Sequence, residues 1–293
     1  MDTQQAIMQH TTGGARRLKS YRKLGQRIVN PTGQLVYQDN GGAILFVAHL
    51  DTVLWGKPIA ANGQITNCPQ LDDRLGVAIG LELLGSIVTE PYDVLLTDCE
   101  EQGQSTARHF VDPPRQYRWV VEFDRAGSDC VFYDYSDGTL QESFEQCGCD
   151  VEWGSYSDIS SLEHLGVQCV NFGCGYHGQH TKSCFCNVAE VESQLAKFSN
   201  WYKHFGQAEY PWDGPKYVAP ARGGGHWSKS YSRGITTWED YRKAWVPDRQ
   251  ARLSPDPCPV CGCLANWTND DYCVDCGSVL REMETDYREG RTL

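Results

Sequence analysis

What this chain lacks narrows its role. It has no run of about 18 consecutive apolar residues, the length a membrane-spanning helix needs, so no span is expected. Residues 1–23 hold no apolar core of the kind a secretion signal carries, which points to a cytoplasmic protein. Basic side chains are scarce. Lys and Arg number 26 against 38 Asp and Glu, a net charge of −12. Nucleic acids and anionic membranes are bound by clustered Lys and Arg, so neither is an expected partner. Cysteine is not scarce, at 14 residues. In a reducing compartment that many thiols point to metal before disulfides. At 293 residues the chain accommodates one large domain and a small one.

The segment Ala43-Ile44-Leu45-Phe46-Val47 is an unbroken apolar run and reads as a strand buried on both faces. It delivers His49 and Asp51 just past its end, and ligands in open α/β sheets collect outside the carboxyl ends of strands. Three further strands end in similar chemistry. Residues 92–97 lead to Glu100-Glu101, residues 118–123 to Asp124, and residues 167–173 to a loop with His177 and His180. A helix opens at Asp72-Asp73 and stays apolar nearly all round to Val88, which predicts burial. One Asp suffices to cap a helix, which leaves the second free. Residues 34–38 read as a strand making a hairpin with the His49 strand through the turn at 39–42, and residues 129–135 as a hairpin partner of 118–123. Residues 157–165 read as a capped helix, and 188–202 as the last helix of the domain. The expected fold class is α/β, with a mostly parallel central sheet flanked by helices.

His49, Asp72, Glu100, Glu101, Asp124 and His180 are N and O donors gathered on one rim. Such a set suits a two-metal hydrolase with a bridging carboxylate and a spare one as base. In this order, His49-x-Asp51, Asp72-Asp73, Glu100-Glu101, Asp124 and His180-Thr181 resemble the motifs of the co-catalytic di-zinc aminopeptidases, the group of bacterial leucyl aminopeptidases and glutamate carboxypeptidase relatives. The resemblance covers about residues 40–205. It implies that His49 and Glu101 ligate one zinc, Asp124 and His180 the other, and that Asp72 bridges both. It also implies that Asp51 orients His49, that Glu100 is the general base, and that the Asp72–Asp73 peptide bond is cis. The interval between Asp124 and His180 is too short for the dimerisation domain of related carboxypeptidases and deacylases. The interval between Asp51 and Asp72 is likewise too short for the domain another relative inserts. A compact aminopeptidase form remains. His177 is an alternative to His180, and Tyr156 and Tyr176 are candidates to stabilise an oxyanion. Asp158 resembles a family position near the site and reads equally as a helix cap.

The C-terminal end carries a separate signal. Cys258-x2-Cys261 and Cys273-x2-Cys276, each pair followed closely by Gly, have the spacing of a four-cysteine zinc ribbon. Acidic side chains outnumber basic ones there, so a protein partner or self-association fits this segment better than nucleic acid. The expected layout is a catalytic domain over 1–206, an irregular linker over 207–255 and a ribbon over 256–293. The expected cofactors are two catalytic zinc ions and one structural zinc. The expected activity is hydrolysis of peptide bonds, as an aminopeptidase on small peptides. The alternatives are a carboxypeptidase or deacylase of the same fold, and a non-catalytic adaptor working through its ribbon. The other cysteines are simplest as buried thiols, with Cys147/Cys149 meeting Cys184/Cys186 as a lesser alternative.

Overall fold

The computed structural model describes residues 1–12, 19–30, 32–133 and 138–212. Cys258, Cys261, Cys273 and Cys276, and all but the first residues of the expected linker, lie outside the described residues. In chain order the strands are β1 (Gln26–Val29), β2 (Gln34–Gln38), β3 (Ile44–His49), β4 (Ile59–Ala61), β5 (Gln64–Thr66), β6 (Asp93–Thr97), β7 (Trp119–Arg125), β8 (Cys130–Val131), β9 (Cys169–Gly173), β10 (Tyr176–His177) and β11 (Phe185–Asn187). The helices are α1 (Thr3–Thr11), α2 (Leu71–Ala78), α3 (Thr139–Gln146) and α4 (Val188–Phe205).

The fold is mixed α/β around a seven-stranded sheet of order β1-β2-β6-β3-β7-β9-β8. The four central strands, β6, β3, β7 and β9, run parallel, and the flanking pairs are antiparallel. A smaller sheet of order β10-β11-β5-β4 sits beside it. The β3 run is central and buried along its whole length. Ile44, Phe46 and Ala48 enter one core, Leu45 and Val47 the other, as the period of two requires.

Two expected hairpins do not form. β6 lies between β2 and β3, with Val36 opposite Leu96 and Phe46 opposite Val94. The turn at 39–42 therefore crosses over the start of β6. There Asp93 Oδ1 accepts the N–H of Asn40 (2.8 Å) and of Gly42 (3.0 Å). β8 pairs with β9 and not with β7, because β7 is already enclosed by β3 and β9.

The helices also differ from the expected flanking pattern. α1, α2, α3 and α4 all contribute to one core, through residues such as Ile7, Leu75, Phe144 and Phe198. The opposite face is covered by short turns, through Ala107, Ile159 and Leu162, and by Trp212. The expected helix over 157–165 is two 3-10 turns, Asp158–Ser161 and Glu163–Leu165. α2 continues as a π-turn (Ile79–Leu83), where Gly80 lies so close to β3 that a Cβ would fall 2.1 Å from Phe46 Cε1. α4 starts at the Asn187 cap and docks its Phe198, Trp201 and Tyr202 around Trp119 of β7. Residues up to 212 belong to this unit, since Gln168 N–H donates to Tyr210 O and Trp212 N–H to Gly166 O.

Candidate metal centre

The parallel strands end on one edge, and the candidate donors meet there. His49 closes β3, Asp124 lies near the end of β7, and Glu100-Glu101 follow β6 in a 3-10 turn entered through Cys99 at φ +63°. Asp72 stands at the start of α2, and His180 comes from the loop between β10 and β11 with φ +58°. The Asp72–Asp73 peptide bond is cis, as the motif resemblance implied.

His49 is fully buried. Its Nδ1 lies 3.0 Å from the carbonyl oxygen of Asp51. A carbonyl only accepts, so Nδ1 carries a proton, which leaves Nε2 as the ring atom able to ligate a cation. Nε2 faces Asp72 Oδ1 at 3.3 Å, Asp124 Oδ1 at 3.4 Å and Glu100 Oε2 at 3.8 Å. The His180 Nε2 faces Glu101 Oε2 at 2.9 Å and Asp72 Oδ2 at 3.1 Å. Asp72 thus turns one oxygen to each imidazole, the arrangement a bridging carboxylate needs.

The closest contacts pair the other donors differently from the expectation. Asp124 stands with His49, and Glu101 with His180. Strand order explains this: β7 lies on one side of β3, and β6, which carries Glu101, lies on the other. The two groups abut, since His49, Asp72 and Glu101 also offer donor atoms within 4.8 Å of one another. Asp73 comes equally close to His49 and Asp124. Both of its oxygens are taken, however, one by the His49 N–H (3.1 Å) and one by the Gly76 N–H (3.0 Å). Asp72 is therefore the carboxylate left for a cation.

Asp51 does more than orient His49. Its carboxylate oxygens accept the N–H of Glu100 (3.2 Å) and of Glu101 (3.1 Å), fixing the turn that carries both glutamates. The end of β7 is held by Asn171, whose Oδ1 accepts the Asp124 N–H (3.2 Å), and by Tyr176, whose hydroxyl donates to Asp124 O (2.9 Å). Neither residue stood out for this role in the sequence, because register across β7 and β9 decides it. Tyr156 accepts the Ser105 N–H (2.8 Å), so both oxyanion candidates have partners within the fold. His177 pairs with Glu190 of α4 at 3.0 Å, away from the donors, and leaves His180 as the second imidazole. Cys147 and Cys149 do not join Cys184 and Cys186. Cys149 neighbours Cys130, while Cys68 bonds the backbone of Cys184, and no metal-competent group among the described residues includes a cysteine.

Electrostatics follow from burial and crowding of like charge. Burial, then the neighbouring Asp72 carboxylate, pushes Asp124 up to about 7. Burial, reinforced by Asp124 and Asp158, pushes Glu100 well above the carboxylate range. Burial would raise Asp72 too, but the facing His180 and His49 rings hold it below that range. Asp72 and Glu101 push His180 up to about 10. Burial works against a charge on His49, yet Asp124, Asp51 and Asp72 hold its pKa well above normal. These groups bind protons where a multivalent cation would compete for the same atoms. Two atoms speak for the cation directly. His49 Nε2 and Asp124 Oδ1 are buried and make no hydrogen bond, and buried polar atoms are ordinarily satisfied. The donor set of imidazoles and carboxylates fits zinc.

No family model and no curated protein matches the sequence. In three dimensions the chain is similar to aminopeptidase PepT from Bacillus cereus. The TM-score is 0.51 at 13% identity, over 68% of this chain and 97% of that one. A tripeptidase from Staphylococcus aureus gives a TM-score of 0.49 at 12% identity, over 69% and 97%. The first likeness shows a shared fold. Among the described residues no helix is long and apolar enough to cross a membrane.

Proposed function

We propose that this chain is a zinc-dependent exopeptidase that holds two zinc ions and acts as an aminopeptidase on small peptides. The observation that carries the reading is the pair of unpartnered buried atoms, His49 Nε2 and Asp124 Oδ1, set 3.4 Å apart beside the shared Asp72. One ion would be held by His49, Asp72 and Asp124, and the other by His180, Asp72 and Glu101. Bound zinc supplies a Lewis acid that polarises a peptide carbonyl and lowers the pKa of water to about 7.

The chain's own residues supply the rest. Glu100 faces the donors without ligating in this scheme, and burial raises its pKa, which suits a group that takes a proton from water and returns it to the leaving amine. Asp51 keeps the His49 tautomer and the glutamate turn in place. The aminopeptidase direction is supported by the likeness in fold to the Bacillus cereus aminopeptidase and by the absence of room for the inserts of related carboxypeptidases. From spacing alone, Cys258, Cys261, Cys273 and Cys276 would hold a third, structural zinc and offer a surface to a protein partner or a second copy. The test is a peptide-library digest read from both ends, with and without a chelator. Stepwise loss of N-terminal residues, abolished by the chelator and restored by zinc, is expected. Undiminished cleavage in the chelator, or no cleavage in zinc, contradicts the reading.

A further inference from the structure

One buried carboxylate outside the donor set grips the segment that carries Glu100 and the donor Glu101. Residues 98–104 form a loop between Thr97, the last residue of β6, and Ser105, which caps the turn Thr106–His109. Glu100 and Glu101 lie in the middle of that loop. Asp158 is fully buried and arrives from far along the chain. Its two oxygens take one end of the loop each. The Thr97 hydroxyl donates to Oδ2 at 2.6 Å, and the Ser105 hydroxyl donates to Oδ1. The turn that presents Asp158 is itself anchored, by the reciprocal Ser157–Ser160 cap and by Ile159 in the smaller core. Hydrogen bonds to a carboxylate are roughly twice as strong as neutral ones, and removing one partner of a buried bond exposes the other to its full desolvation cost. The separation of the loop ends is therefore set by Asp158 on the side-chain side, together with the bonds from Thr106 N–H to Asp98 O (2.9 Å) and from Asp98 N–H to the Thr106 hydroxyl (2.9 Å).

The restraint is selective. His49 is held by Asp51 and Asp73, and Asp124 by Asn171 and Tyr176. The Glu100–Glu101 turn, whose N–H groups Asp51 holds, hangs between the two residues that Asp158 grips. We propose that Asp158 is a positioning residue: by clamping Thr97 and Ser105 it fixes the Glu100–Glu101 turn, and with it the metal position that Glu101 shares with Asp72 and His180. This rests on the two-zinc reading above. Asp158 makes no hydrogen bond to either imidazole in the donor set; beside its charge, which Glu100 feels, it acts through the loop.

The test is metal affinity, measured by zinc titration calorimetry on the full chain. Wild type is expected to show two binding events from the clustered donors, and Glu101→Gln identifies which event depends on the loop. Asp158→Asn and Thr97→Val are expected to weaken that same event about 10–100-fold, the usual effect of removing a group that orients a ligand. The other event is expected to stay within about twofold of wild type. Thr97→Val is nearly isosteric and removes one arm of the clamp, so it carries the test if Asp158→Asn does not fold. Unchanged affinity at both positions in Thr97→Val overturns the proposal, and so does equal weakening of both, which marks a general loosening of the fold. A wild-type chain that binds no zinc in the clustered donors overturns the two-zinc reading itself and the proposal with it.

Discussion

Glu100 and Glu101 are neighbours in sequence that do different things in space. Glu101 Oε2 reaches the His180 ring at 2.9 Å, while Glu100 Oε2 lies 3.8 Å from the His49 ring, deeper in the cluster. The difference follows from the 3-10 turn, which points consecutive side chains apart while Asp51 holds both N–H groups. If Glu100 is the base and Glu101 a ligand, the two isosteric changes separate. Glu100→Gln is expected to cut turnover about 10²–10⁴-fold with zinc content unchanged. Glu101→Gln is expected to lower zinc content first and activity with it. Steady-state kinetics and zinc content on both variants read the outcome, and the reverse pattern would exchange the two roles.

At the scale of elements, the α2 extension makes a tight joint with β3. Gly80→Ala would drive a methyl into Phe46, and overpacking of this kind costs about 1–3 kcal/mol. Gly85→Ala is the control. Its added methyl meets only the Tyr92 hydroxyl at 3.8 Å, so its effect is expected to stay within about 0.5 kcal/mol. Urea midpoints for the two variants check this, and equal values would mean that the joint has slack. The same elements show what a sequence discloses. β3 was legible because burial on both faces leaves an unbroken apolar run, and α2 with its extension because the residues after Arg74 are apolar nearly all round. The insertion of β6 between β2 and β3 was not, because a tight turn such as 39–42 reads as a hairpin whether or not another strand enters. Which carboxylate lies closest to which imidazole was not legible for the same reason, since it is decided by strand order and not by spacing. The expected donors do come close in space: His49, Glu101 and Asp124 each follow or close an apolar strand, while Asp72 comes from a helix start and His180 from a loop. Asp158 was ambiguous because its partners, Thr97 and Ser105, carry no signal of their own along the chain.

At the scale of the whole molecule, the acidic excess has a local focus. Asp72, Glu100, Glu101 and Asp124 crowd onto one edge of the sheet with only two imidazoles among them. A site so built is expected to draw divalent cations. In the proposed ribbon, Cys258, Cys261, Cys273 and Cys276 would form a second donor set with different chemistry, thiolate instead of carboxylate. The two sets are expected to load independently, and native mass spectrometry of the full chain tests this directly. The account predicts three zinc ions in wild type and two in the double variant Cys258→Ser/Cys261→Ser. One zinc in wild type and none in that variant would contradict it, because the clustered imidazoles and carboxylates would then hold no metal.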